Sequence, residues 1–186
     1  MEEKGMENIQ NAVFNTKPTD GRLPVELAVY DMLEALNIEY IRTDHKAALT
    51  MEDCIAADKL LGVELCKNLF LCNRQKTDFY LLLMPAGKEF RTKDLSHQIN
   101  TARLSFASED FMKELLGLTP GSVSVMGLMN DTAHKVRLII DKDLLSSEFF
   151  GCHPCINTSS LRIRSEDIFG KFLEAVGHDF IVVHAE

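Results

Sequence analysis

The sequence predicts a single α+β domain with a mixed β-sheet flanked by helices, and three observations predict it. Helix-like and strand-like segments alternate along the chain. Several strands are joined by hairpins and loops, which favours a mixed sheet over a fully parallel one. The 186 residues, 46% hydrophobic and 26% charged, suit one domain of ordinary size with a sizeable core. No repeat, low-complexity tract or interdomain linker divides the chain. Residues 1–22 read as a flexible tail, ending in the turn-rich Lys17-Pro18-Thr19-Asp20-Gly21, and residues 23–186 as the domain.

Pro24 can open a helix, and Leu27, Tyr30, Leu33 and Leu36 recur at helical spacing up to Asn37. Ile38–Arg42 is β-branched and aromatic, hence a strand. Thr50 has the chemistry of an N-cap, with Glu52 and Asp53 in the first turn and Gly62 to end that helix. Leu65–Cys72 reads as a buried strand and Phe79–Met84 as its hairpin partner. Thr92 caps a short helix over 93–99, Leu104–Ala107 is a strand, and Ser108 caps a helix over 109–116 that Gly117 stops. Lys135–Ile140 and Ser160–Ile163 are strands. Ser165 then caps a helix over 166–176, Gly177 ends it, and Phe180–Val183 is the terminal strand.

A formal net charge of −8 argues against a protein that grips a long nucleic-acid backbone. Charge is uneven, however. Residues 59–103 carry eight Lys or Arg against four Asp or Glu, a net +4 that suits either a few phosphates or an ordinary solvated face. No apolar run approaches the ~20 residues needed to cross a bilayer. The first fifteen residues lack the order of a secretory signal, so five cysteines point to reduced thiols in the cytoplasm.

Three stretches carry candidate chemistry. Lys67 lies in the apolar run Leu65–Leu71 and by alternation shares a face with Leu65, Leu69 and Leu71. An ammonium among such neighbours must snorkel, lose its charge or meet an anion; alternatively the strand begins late and Lys67 hangs at its exposed end. Pro120-Gly121-Ser122-Val123-Ser124 reads as a tight turn whose backbone N–H groups can cradle an anion, or as a plain loop. Gly151-Cys152-His153-Pro154-Cys155-Ile156-Asn157-Thr158 holds an imidazole on a stiff segment, because Pro154 biases His153 toward extended backbone. A loop histidine satisfied by backbone is the alternative for His153. The Cys-x-x-Cys in this stretch has the spacing of a thiol-redox motif, but the residues after it look extended, not helical. Closing a zinc site would need a second such pair, so no metal is expected. Cys66 and Cys72 read as buried small apolar residues. His45, His97, His134, His178 and His184 receive no catalytic role.

Taken together, Lys67-Asn68-Leu69-Phe70-Leu71, Leu116-Gly117-Leu118-Thr119-Pro120-Gly121-Ser122-Val123, Gly127-Leu128-Met129-Asn130-Asp131, His153-Pro154-Cys155-Ile156-Asn157-Thr158 and Gly177-His178 resemble one family in order and spacing. It is the YbaK/prolyl-tRNA synthetase-associated editing domain family, particularly its freestanding prolyl-tRNA deacylases. The resemblance runs from about His45 to Val183. It implies a compact α+β fold around a mixed, partly barrel-like sheet. It also implies hydrolysis of an amino acid wrongly attached to tRNA, typically alanine on tRNA for proline. The implied partners are the tRNA acceptor end carrying a small amino acid and prolyl-tRNA synthetase, with no cofactor and no membrane.

Carried over residue by residue, Lys67, Gly121, Ser122 and His153 form the catalytic set. Lys67 contacts the terminal adenosine or its phosphate, Gly121 and Ser122 line the catalytic turn, and His153 borders the amino-acid pocket. Thr50, Asn68, Ser124, Met126, Gly151, Asn157 and Thr158 are assigned to substrate binding. The family's glycine turn usually ends in proline, whereas Val125 stands here, and Met126 replaces a common aromatic, so a looser turn is expected. Two rivals remain beside deacylation: a non-catalytic tRNA- or synthetase-binding module, and a thiol-redox protein.

Overall fold

A computed structural model of the chain describes residues 12–48 and 51–184, with residues 51–53 described by backbone alone. The strands form two sheets where the sequence suggested one. The first has four antiparallel strands in the order β1 (Val13–Phe14), β2 (Tyr40–Asp44), β8 (Ser159–Arg164) and β7 (Phe149–Cys152). The second has five, in the order β5 (Ser105–Phe106), β3 (Lys67–Cys72), β4 (Phe79–Met84), β6 (Val136–Asp141) and β9 (Phe180–Val183). It is mixed, because β3 is antiparallel to β4 and β5 while β4, β6 and β9 run parallel. The sheets meet where Leu65 bridges Gly151 and the Cys66 N–H donates to the Gly151 carbonyl at 3.1 Å. A Cβ on Gly151 would lie 2.8 Å from the Glu64 carbonyl oxygen, so this junction requires glycine.

All six residues of β4 are buried, because both faces of the five-stranded sheet are covered. One face carries Phe70, Leu81 and Leu138 into the main core, where they join Tyr30 and Leu33, Leu116, and Leu161 and Ile163 from the other sheet. The opposite face puts Leu71, Tyr80, Leu82 and Ile139 against Leu95 of α3 (Thr92–Gln98). This double burial explains the continuous apolar run of β4, where a half-exposed strand would alternate.

The helices fall largely where the periodicity placed them. Pro24 opens α1 (Pro24–Ala35). Backbone helix α2 spans Met51–Leu61, while Thr50, expected to cap it, lies outside the described residues. Gly117 ends α4 (Glu109–Leu116) in the left-handed conformation, and Gly177 does the same for α6 (Leu173–Val176). The predicted helix over 166–176 is instead a π-helical turn at Asp167–Phe172 followed by α6. Four elements were unforeseen: β1, β7, α5 (Lys142–Leu145) and a 3-10 helix at Val125–Asn130. Val13–Phe14, placed in the tail by sequence, pairs with Thr43 and Arg42 of β2. Among the described residues, no helix is long and apolar enough to cross a membrane.

Candidate functional site

The segment 153–158 is the connection between antiparallel β7 and β8; of residues 156–161, which look extended in the sequence, 159–161 are strand, in β8, and 156–158 belong to the connection. Cys155 adopts φ 62°, uncommon for a non-glycine residue, and turns the chain back toward β8. The connection lies against residues 45–48. His45 N–H donates to the Thr158 carbonyl at 3.0 Å, Ala48 N–H to the Asn157 carbonyl at 2.8 Å, and Asn157 Nδ2 to the Ala48 carbonyl at 3.3 Å.

Residues 119–122 form a tight turn. Ser122 N–H donates to the Thr119 carbonyl at 3.0 Å, and Gly121 sits at φ 82° after Pro120. Proline then glycine at the central positions, with positive φ at the second, is the pattern of a type II turn. The Ser122 hydroxyl donates back to the Thr119 carbonyl at 2.8 Å, which engages it in holding the turn and argues against a nucleophilic role.

The expected looseness after this turn is absent. Ser124, fully buried, accepts from the Met126 N–H at 3.3 Å and caps the 3-10 helix, while Val125 and Met126 are themselves buried. The Ser124 hydroxyl also donates to the His153 carbonyl at 2.6 Å. The glycine turn and the histidine connection, remote in sequence, are thus fastened together.

The imidazole of His153 is fixed by its Nδ1, 2.8 Å from the Ser159 carbonyl and 3.3 Å from Ser160 Oγ. A carbonyl only accepts, so Nδ1 carries the proton and the neutral ring keeps a lone pair on Nε2. Burial, only partly offset by the Ser159 bond, holds its pKa below the usual 6.5. His153 is therefore neutral at pH 7.

Ser122, Cys155, Ile156, Asn157 and Thr158, with Gly117 and Thr119, line a hollow of about 310 Å³ that has a further wall of Gly21, Arg22, Leu23, Val25 and Glu26. That wall was missed, since residues up to 22 were assigned to the tail. Arg22 anchors it: Nη2 lies 2.8 Å from Asp44 Oδ2 and Nη1 3.2 Å from Glu26 Oε1. Burial raises the Asp44 pKa, but bonds from Arg22 and Arg42 outweigh it and leave the carboxylate below its usual range. Glu26, also buried, is shifted upward.

Of the sequence-predicted catalytic set only Ser122 lines this hollow; Gly121 and His153 do not, and neither does Lys67. On β3 it shares the face of Leu69 and Leu71, as alternation predicted, and its ammonium donates to the Lys88 carbonyl at 2.7 Å. Asn68 instead shares the face of Cys66 and Phe70, in the cluster that includes Cys152 and Cys155. Its Nδ2 donates to the Cys66 carbonyl at 3.1 Å, while its buried Oδ1 has no hydrogen-bond partner among the described residues. A larger hollow, about 530 Å³, lies on the other face of the five-stranded sheet between Leu82, Lys88, Phe90 and Val183. None of the sequence-predicted site residues lines it, so size does not identify the site.

The thiol-redox rival loses its chemistry. Burial raises the Cys66 and Cys155 thiols to about 12, and Cys152 well above its usual value. Metal binding has one geometric candidate among the described residues, Asp141, Asp143 and His184. There the Lys88 ammonium lies 2.9 Å from Asp141 and 2.8 Å from Asp143, and already supplies the positive charge.

Comparison with known proteins bears on the family and the fold. Residues 45–170 match the model of the aminoacyl-tRNA editing domain. The chain is 32% identical over 153 residues to a prolyl-tRNA editing protein, ProX, of Acetoanaerobium sticklandii, spanning 82% of this chain and 93% of that one. It is 29% identical to the prolyl-tRNA synthetase associated domain-containing protein 1 of Xenopus laevis, over 88% of this chain and 98% of the relative. Its fold matches a solved structure presented as a candidate trans-editing enzyme for prolyl-tRNA synthetase, with a TM-score of 0.66 at 16% identity over 89% of this chain and 99% of that one. On sequence and fold together, the chain belongs to the aminoacyl-tRNA editing domain family.

Proposed function

We propose that the chain is a freestanding deacylase that hydrolyses the ester of mischarged tRNA, with Ala-tRNA(Pro) as its substrate. The observation that carries this reading is the 2.6 Å bond from Ser124 to the His153 carbonyl, which fastens the segment after the glycine turn to the backbone of the connection that bears the imidazole.

An aminoacyl ester is already activated, so the protein need only orient water and stabilise the developing oxyanion. The water oxygen bonds to the carbonyl carbon, the carbon–oxygen bond to the ribose breaks, and the proton released by the water ends on the ribose oxygen. The backbone N–H of Gly121 is assigned to the oxyanion role, since that of Ser122 already closes the turn on the Thr119 carbonyl. His153 Nε2, the acceptor end of its ring, faces the acyl group or the water. Asn68 is assigned to the substrate because its buried Oδ1 is an acceptor with no donor among the described residues. Gly151 acts indirectly, by letting the two sheets approach. Asn157 and Thr158 border the acyl pocket, with Ser124 and Met126 behind the turn. Thr50 keeps its expected role from the sequence alone. Lys67 gives one of its three ammonium protons to Lys88, and its others suit a phosphate of the acceptor end.

A second sieve of this kind is needed because a synthetase site shaped for proline rejects a smaller side chain weakly, by about 1–3 kcal/mol per missing methylene. The net +4 of residues 59–103 suits a short acceptor end, and prolyl-tRNA synthetase is the proposed partner enzyme. Release of alanine from Ala-tRNA(Pro) tests the proposal. The wild type should release it well above the blank and His153→Ala should not; a wild type equal to the blank that still binds the tRNA leaves a binding module.

A further inference from the structure

We infer that His45 is a positioning residue for the hydrolytic site: by taking the Ser160 proton it keeps that hydroxyl from donating to His153 Nδ1, and so reinforces the tautomer that the Ser159 carbonyl favours. This rests on the deacylase reading for its consequence, but not for its geometry.

His45 follows β2 directly and is half-buried, its ring 6.1 Å from that of His153 between centroids. Its Nδ1 lies 2.8 Å from the Lys46 carbonyl. A carbonyl cannot donate, so Nδ1 bears the proton and Nε2 of the neutral ring is an acceptor. That Nε2 lies 2.8 Å from Ser160 Oγ, so the serine proton points at His45. Ser160 Oγ can then only accept toward His153 Nδ1, 3.3 Å away. With the Ser159 carbonyl at 2.8 Å, both groups facing His153 Nδ1 are acceptors, and the lone pair is kept at Nε2. Ser160 is fully buried, so bulk water does not substitute for it.

Fastening the loop does not require this imidazole. Backbone bonds from His45 and Ala48 to Thr158 and Asn157 already do so. What the ring adds is direction to the serine hydroxyl. Without it, Ser160 can turn and donate to His153 Nδ1, favouring the tautomer whose lone pair is on the wrong nitrogen.

The test combines tautomer and rate on the full chain. Nitrogen-15 NMR of the labelled imidazoles should show His153 protonated at Nδ1 in the wild type and shifted toward Nε2 protonation in His45→Leu. Turnover of Ala-tRNA(Pro) by His45→Leu should fall by up to about tenfold, the worth of one neutral hydrogen bond, with KM unchanged. His45→Gln, whose amide oxygen can accept from Ser160, should recover both readouts. Ser160→Ala leaves no hydroxyl to donate to His153 Nδ1, so it should keep the Nδ1-protonated form, and His45→Leu added to it should not move the tautomer. His45→Phe, closer in shape to imidazole, takes the place of His45→Leu should that variant fail to fold. An unchanged His153 tautomer in these single His45 variants overturns the inference, as does a shift that persists in the double variant with Ser160→Ala, or His45→Gln being as impaired as His45→Leu. A wild type without hydrolysis, but with a tautomer that follows His45, refutes the deacylase reading and supports this one.

Discussion

Removing one hydroxyl, in Ser124→Ala, should damage both stability and turnover, by amounts the structure allows to be worked out. Ser124 is fully buried and makes two bonds: it accepts from the Met126 N–H and donates to the His153 carbonyl. The Met126 N–H is buried, so losing its acceptor costs about 1–3 kcal/mol. The His153 carbonyl is in a part-buried setting that water can reach, so that bond contributes only its net value, about 1 kcal/mol. Together these give a loss of roughly 3 kcal/mol, and at about 2–4 °C per kcal/mol for a chain of this size, a Tm lower by about 6–12 °C. Thermal unfolding followed by circular dichroism measures the first quantity. Single-turnover deacylation well below the Tm measures the second, and the rate should drop by about tenfold if the misplaced imidazole costs near 1.4 kcal/mol of transition-state stabilisation. A destabilised Ser124→Ala with an undiminished rate would refute the coupling between turn and histidine.

Three further outcomes follow from the site. His153 is depressed below 6.5, so on acidification the unfolded chain takes up its proton first, and this stability contribution falls as pH drops from 6.5 toward the lower folded value and then levels off. Glu26 acts in the opposite sense at lower pH, so urea unfolding of wild type minus His153→Gln isolates the histidine contribution; a difference that grows on acidification through this window contradicts the assignment. Lys67→Met should weaken tRNA binding and reduce the slope of log affinity against log salt by about 0.7, the share of one single-strand phosphate contact; an unchanged slope removes Lys67 from the interface. Cys152→Ala should retain deacylation, whereas loss of activity in a folded variant would revive a role for the buried thiol.

Much of the fold was legible because local chemistry and burial agreed. Phe79–Met84 was placed to the residue, since six consecutive buried apolar positions leave only a strand covered on both faces. Gly117 and Gly177 marked two helix ends through their left-handed backbone. The misses share a different cause. Strand β7 contains Gly151 and Cys152, poor strand formers held by pairing with Arg162 and Leu161, which no local pattern records. The π-helical turn at Asp167–Phe172 differs from an α-helix by one residue per bond, which periodicity over six residues cannot resolve.

At the site, sequence found the turn and His153 but not what joins them, because Ser124 resembles any loop serine until its acceptor is known. Lys67 was put on the correct strand face, yet the acceptor that relieves its burial is a backbone carbonyl twenty-one residues away. His45 was set aside as an isolated strand-end histidine, and only the register of β2 with β8, Asp44 opposite Ser159, brings it to Ser160.

Single-turnover hydrolysis of tRNA(Pro) charged in turn with alanine, cysteine, serine and proline is the most direct trial of a turn and a neutral imidazole serving as a small-acyl esterase. Rapid release of alanine with proline left on its tRNA is the predicted result. Equal release of all four, or none above the blank, would contradict it.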